Sequence, residues 1–185
     1  PPSALFIMDG GDDTFYTTAY LTQVERRRPD ITFHDRGSVV FPGLYGPDFR
    51  RLSRSEKEKR RQVIEQALAQ GARPLCYSTM NARLLEGKTL DQRGLLYCLA
   101  MPLALSRPVL WDVYDLRDVA PWMASSRQLI PDYRLRALVP YYAYQRANAA
   151  VRLNASAEGV AFMQSAYSVG RDILWLVPNI MGTLH

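Results

Sequence analysis

Hydrophobic and polar positions follow two alternating patterns along the first hundred residues. Residues 4–8, Ala-Leu-Phe-Ile-Met, form a continuous apolar run of the kind buried on both faces of a parallel sheet, and they predict a central strand. Asp9-Gly10-Gly11-Asp12-Asp13-Thr14 follows, with two glycines suited to a tight turn and Asp12 or Asp13 placed to cap a helix. Phe15, Ala19, Tyr20 and Val24 carry that helix on at three-to-four-residue spacing as far as residues 26–28. Pro29-Asp30 breaks it, and residues 31–35 alternate as a second strand. The result is a strand, helix, strand unit whose crossover is expected to be right-handed.

The same order repeats after a Gly- and Pro-rich stretch around Val39-Val40-Phe41. Residues 55–70 predict an amphipathic helix with Ser55 and Glu58 as its capping box, Val63, Ile64, Ala67 and Leu68 as its inner stripe, and Gly71 as its stop. Residues 74–78 form a third strand. Leu84-Leu85-Glu86-Gly87-Lys88 then suggests a short helix and turn, and residues 94–101 an added strand, antiparallel at an edge and stopped by Pro102. Beyond Trp111 the pattern turns helical. Residues 133–154 offer a face of Leu135, Leu138, Val139, Tyr142, Ala149 and Val151, and a partner helix capped by Ser156 or Asn154 runs through Val160, Met163, Ala166 and Tyr167. A further helix begins near Pro178. The predicted fold class is α/β. It comprises a small Rossmann-like, mostly parallel sheet with flanking helices over residues 1–118, then a tetratricopeptide-like helical hairpin over 119–185, truncated at its C-terminal end.

Composition narrows this picture. With 48% apolar and 22% charged residues the chain lies in the globular range, and its apolar runs fall far short of the ~20 residues that cross a bilayer. Pro1-Pro2-Ser3 leads into the first strand without a basic segment, so the expectation is a piece of something longer and no signal peptide. The net charge of +5 is concentrated in residues 50–61, where Arg50, Arg51, Arg54, Lys57, Lys59, Arg60 and Arg61 face only Glu56 and Glu58. Arg54, Lys57 and Arg61 are the candidate contacts with an anionic lipid surface; a solvated helix face with local ion pairs is the plainer alternative. No aromatic side chain interleaves with these charges and no nucleic-acid-binding spacing occurs, so nucleic acid is not an expected partner. Cys76 and Cys98 each sit in an apolar strand-like run. Buried free thiols are the expectation there, a cross-strand disulfide being the lesser reading because it needs an oxidising compartment. Two Cys and two His supply no zinc-ligand spacing.

The acidic loop is the best candidate for chemistry, because ligands of open α/β sheets bind beyond the carboxyl ends of the strands. Asp9, Asp12, Asp13, Thr14 and Asp35 are the candidate ligand-binding residues, since clustered carboxylates can hold a divalent cation or sugar hydroxyls. Alternatively, one Asp caps the helix and the others favour its positive end. A phosphate cradle is disfavoured, for the loop has neither a P-loop Lys nor a G-x-G-x-x-G spacing. No catalytic set is recognisable: there is no G-x-S-x-G elbow, and His34 beside Asp35 lacks a nucleophile signature. Trp111, Asp112, Tyr114, Asp115 and Trp122 make an aromatic and acidic segment able to stack on carbohydrate or to cover a core edge.

Residues 10–31, read G-G-D-D-T-F-Y-T-T-A-Y-L-T-Q-V-E-R-R-R-P-D-I, resemble a stretch in bacterial membrane proteins of the protein O-mannosyltransferase-like group. Those proteins carry a G-D-N-D-T-F motif, an aromatic helix with a Y-L-Q core, and then R-P-D-V. The block Arg73-Pro74-Leu75-Cys76-Tyr77-Ser78, with Leu84-Leu85-Glu86-Gly87 and Gly94-Leu95-Leu96-Tyr97, resembles their R-P-V-Y-F … E-G-L-V-Y-R segment. Gly11 stands at the motif's first Asp, Asp12 at its Asn, and an insertion separates Gly87 from Gly94. The resemblance covers most of residues 5–102. It implies a multi-spanning GT-C-type glycosyltransferase whose membrane half uses a lipid-linked sugar, followed by a soluble domain and often by tetratricopeptide repeats. This chain would then be that soluble domain and the entry to the repeats, on the periplasmic side of the bacterial inner membrane. The implied partners are the membrane half of the parent protein, an anionic lipid surface, and an acceptor polypeptide or glycan. The implied catalytic acid belongs to the membrane half, so no catalytic residue transfers to this chain. No cofactor is expected in it beyond a divalent cation at the acidic loop. The alternative is a free-standing α/β enzyme acting on a sugar or nucleotide through Asp9, Asp12 and Asp13 with a metal.

Overall fold

A computed structural model of the chain describes residues 1–9, 12–41, 43–78, 89–99, 111, 114, 115, 117, 133–173 and 176–184, with backbone only for 12–14, 133–136, 156, 183 and 184. It separates into two units, Pro1–Arg107 and Pro108–His185.

The first unit is α/β. Strand β1 (Leu5–Met8) leads to helix α1 (Asp12–Ala19), which a π turn (Tyr20–Val24) prolongs, and then to β2 (Thr32–Asp35). A 3-10 turn (Phe49–Arg51) and helix α2 (Arg54–Leu68) connect to β3 (Leu75–Tyr77), and a hairpin of β4 (Leu90–Arg93) and β5 (Leu96–Leu99) follows. The sheet order is β2-β1-β3-β5-β4. β1 pairs in parallel with β2 and β3, whereas β3 with β5 and β5 with β4 are antiparallel, so the sheet is mixed and not mostly parallel as expected. The strand expected at an edge, β5, is antiparallel but lies inside the sheet; the edge is β4, whose polar Asp91-Gln92-Arg93 carried too little apolar signal to be read as a strand. The expected helix at residues 84–88 and the stop at Pro102 lie outside the described residues.

Register explains the core. Leu5, Ile7, Leu75 and Tyr77 share one face of the sheet with Leu90 and Leu99, and Leu44, Leu68 and Ala69 pack over them. Each such fully buried side chain contributes about 1.5–3 kcal/mol. Phe6 and Phe33, adjacent in the parallel register, meet edge to face at 5.6 Å on the other face. The antiparallel register sets Cys76 directly opposite Cys98, with their Cα atoms 4.0 Å apart, and the two form a disulfide. This corrects the expectation of free thiols. Nothing in either local sequence specifies the partner; the register of the hairpin against β3 does.

Two helices differ from expectation in phase. The capping box of α2 is Ser53 with Glu56, two residues ahead of the expected Ser55 and Glu58. Val63 is 68% exposed while Glu65 is fully buried, so the inward face carries Arg61, Glu65 and Leu68 in place of a purely apolar stripe. On α1 and its π turn Phe15 is buried, but Tyr20 and Val24 stand in solvent.

In the second unit α3 (Tyr133–Arg152) and α4 (Ser156–Gly170) form a hairpin joined by Leu153, Asn154 and Ala155, and α5 (Val177–Leu184) follows. Asn154 closes the turn at φ +58°. The core is Ala143, Ala147, Met163, Ala166, Leu176 and Ile180. Small residues let the helices approach: a Cβ at Gly170 would lie 2.6 Å from that of Pro140. Of the expected faces, Val139, Tyr142, Met163 and Ala166 are buried, whereas Leu138, Val151, Val160 and Tyr167 are exposed. Trp111 packs edge to face on Tyr142 at 5.5 Å, and Tyr114 also packs on it, so both rings cover this unit's own surface; Asp112 and Trp122 lie outside the described residues.

Candidate functional site at the carboxyl end of the parallel strands

The three parallel strands end side by side, and the next residue of each, Asp9, Arg36 and Ser78, stands at their carboxyl edge. The Arg36 amide donates to the Met8 carbonyl at 3.0 Å and the Ser78 amide to the Ile7 carbonyl at 3.2 Å, continuing the ladder past the last paired residues. The Ser78 hydroxyl accepts from the Asp9 amide at 2.8 Å and lies 2.9 Å from the Asp9 carbonyl, to which it donates. This fixes the direction in which the chain leaves β1.

Arg36 is the centre of the arrangement. Its buried guanidinium donates through Nε and Nη2 to Glu65, with Nη2 at 3.0 Å from Oε2, and through Nη1 to Oδ2 of the half-exposed Asp9 at 3.1 Å. Tyr45 donates to Oε1 of Glu65 at 2.8 Å. Burial opposes the charge of Arg36, but the Glu65 and Asp9 carboxylates outweigh it and hold its pKa above the ordinary arginine value. Burial, and then the same Glu65 carboxylate, push the phenols of Tyr45 and Tyr77 well above their usual range, so both stay protonated. The arrangement is a chain of polar contacts running from the buried Tyr45 through Glu65 and Arg36 to one surface carboxylate. Chemically it holds the Asp9 carboxylate in place as a hydrogen-bond acceptor beside a buried guanidinium.

The expected ligand residues are therefore only partly assembled. Asp35 is fully buried at the end of β2 and shares no hydrogen-bond partner with Asp9 among the described residues. Its Oδ1 accepts from the Val39 amide at 2.8 Å and its Oδ2 from those of Val40 and Phe41 at 2.9 and 2.7 Å, closing a loop in which Ser38 takes φ +52°. Asp12, Asp13 and Thr14 are the first three residues of α1; their side chains, and so the expected cap, lie outside the described residues. Among the described residues no group of three His, Cys, Asp or Glu side chains converges as metal ligands would. His34 is half-buried on β2 with Nδ1 enclosed and unpartnered among the described residues. Burial first, and then Arg73, lower its pKa below the ordinary value, Asp35 opposing.

The candidate membrane-facing residues also divide. Arg54 is exposed and Lys57 partly covered, its ammonium 6.0 Å from the Phe49 ring. Arg61 turns inward: it donates to the Arg36 carbonyl at 3.1 Å, pairs with Glu58 at 2.6 Å and lies over Phe49. Sequence reasoning missed Arg36, Glu65 and Tyr45. The available signal was Glu65 in phase with Leu68 and Arg61 on the helix face toward the core, a position that demands a buried cation.

The chain matches no family model, no curated protein and no solved structure.

Proposed function

We propose that the chain is a non-catalytic, extracytoplasmic domain of a membrane glycosyltransferase that positions a polypeptide or glycan acceptor beside the membrane half of its parent. The observation that carries this reading is the Cys76–Cys98 disulfide, because such a staple persists in oxidising compartments such as the periplasm and not in a reducing cytosol. The internal commitments of Asp9 and Asp35 support a structural role for the sheet edge over catalysis through it. The parallel β2-β1-β3 order is that of half a doubly wound sheet and supports a Rossmann-like ancestry, with β5 and β4 appended. The α3–α4 hairpin is compatible with one tetratricopeptide-like unit. No helix of the described residues is long and apolar enough to cross a membrane, so attachment is assigned to the parent's other half.

The test is thiol accessibility in the full parent protein in intact spheroplasts. Cys76 and Cys98 are expected to resist a membrane-impermeant maleimide until reduced and to react with it afterwards without lysis. Labelling without reduction, or only after lysis, would overturn the reading. In the same protein Asp9→Asn is expected to leave kcat for glycosyl transfer unchanged; a collapse of kcat with the fold intact would favour the enzyme alternative.

A further inference from the structure

We propose that the outer stripe of α1 and its π turn docks on an anionic phospholipid bilayer. This deepens, and rests on, the membrane-domain reading above by naming the surface that meets the lipid.

The stripe is Tyr16, Tyr20, Leu21 and Val24, exposed by 59, 54, 40 and 66%. A four-residue step overshoots one turn of α-helix slightly and undershoots one turn of the wider i→i+5 winding, so the two offsets cancel across Tyr20. Tyr16, Tyr20 and Val24 therefore stand nearly in line, with Leu21 beside them. The π winding is explicit in the Glu25 amide, which donates to the Tyr20 carbonyl at 3.1 Å. No charged side chain occurs in residues 15–24. Charge begins where the stripe ends, at the exposed Glu25 followed by the consecutive exposed Arg26, Arg27 and Arg28, a net positive cluster. Arg26 and Arg28 adopt φ of +52° and +50°, a region that non-glycine residues seldom occupy. Among the described residues Arg26 makes no ion pair, while Arg27 and Arg28 hold surface pairs with Glu25 and Asp30. Such exposed pairs contribute little and can be exchanged for lipid phosphates.

Area and charge select the occupant. Four side chains about half-exposed offer on the order of 400 Å², half of the about 800 Å² per partner that a stable protein interface buries. A bilayer needs no matching shape. It takes an aromatic and aliphatic ridge into the headgroup boundary and binds the adjacent arginines through anionic headgroups. The expected basic patch on α2 is less suited, because Arg61 faces inward and donates to the Arg36 carbonyl, and Val63 is its one large exposed apolar side chain.

The test is co-sedimentation of the full 185-residue chain with vesicles of phosphatidylcholine containing phosphatidylglycerol, against pure phosphatidylcholine. Binding is expected only to the anionic vesicles and should weaken as salt rises. Tyr16→Ser/Tyr20→Ser/Val24→Ser is expected to lower the partition coefficient at least tenfold with Tm unchanged, and Arg26→Gln about fivefold. No preference for anionic vesicles, or full binding by the triple variant, would overturn the proposal. So would loss of binding in Arg54→Gln/Lys57→Gln, which would move the contact to α2, or a dimer in sedimentation that the triple variant dissociates. None of these outcomes touches the thiol experiment, so failure here is distinguishable from failure of the membrane-domain reading.

Discussion

Taking Arg36 and Glu65 out of water costs several kcal/mol per ion, and the fold offsets this by pairing the two directly and adding Asp9 and the Tyr45 hydroxyl as further partners. Glu65→Ala would strand a buried guanidinium with Asp9 as its remaining carboxylate, and the expected loss is about 3–5 kcal/mol in urea unfolding. A loss under about 1 kcal/mol would mean that water already reaches Arg36. His34 supplies a second prediction with a definite sign. Its folded pKa is depressed by burial and by Arg73, whereas the unfolded imidazole titrates near about 6.5. Below that value the unfolded chain binds the proton that the folded chain refuses, so this contribution is fully present above about pH 6.5 and is lost as pH falls toward the folded pKa. His34→Gln should flatten the pH dependence of the urea midpoint between neutrality and about pH 5, above the main carboxylate range; an unchanged slope would place the titration elsewhere. At this scale the sequence was only partly legible. The structural reading of His34 needs just its neighbours, but the roles of Arg36 and Glu65 depend on a contact across 29 positions.

Elements were legible where a local rule decides them, and less so where tertiary packing does. β1 is a short apolar run followed by Asp9 and two glycines, and its position between β2 and β3 agrees with that composition. α2 was legible as a helix but misread in phase. Ser53 and Ser55 each precede a glutamate by three residues, so the sequence contains two overlapping capping boxes. The structure uses the earlier, with the Ser53 amide donating to Glu56 at 2.9 Å and the Glu56 amide to the Ser53 hydroxyl at 3.4 Å, which satisfies two donors at the helix start. Its inner face was misread because apolarity was assumed to mark burial; Val63 lies outside and Glu65 inside, since a paired charge can be buried and a lone valine can be exposed. The candidate site suffered in the same way. Asp9, Asp12 and Asp13, adjacent in sequence, and Asp35 beyond them suggested one cluster; of the two whose side chains are described, Asp9 is bound to a residue of the second crossover and Asp35 to the amides of its own loop.

Across the first unit, the parallel and antiparallel parts of the sheet are unequally secured, and the disulfide lies on the seam between them. β1 is registered with β2 over four residue pairs and with β3 over three, whereas β5 meets β3 over two, Cys76 with Cys98 and Tyr77 with Tyr97. The hairpin's attachment thus depends on the covalent link more than any other strand's does. Closing a separation of 22 residues restricts the unfolded chain by about 3 kcal/mol in the loop-entropy view. Cys76→Ala/Cys98→Ala should therefore lose stability of that order. The loss should also be uneven in space, because opening β4 and β5 exposes less surface than unfolding β1, β2 and α2. Hydrogen exchange followed by mass spectrometry is expected to show amides of residues 90–99 exchanging first and by a separate step in the double variant, while those of β1 exchange only with global unfolding. Equal rates for β1 and β5 would mean that the whole sheet opens as one unit and that the seam does not exist.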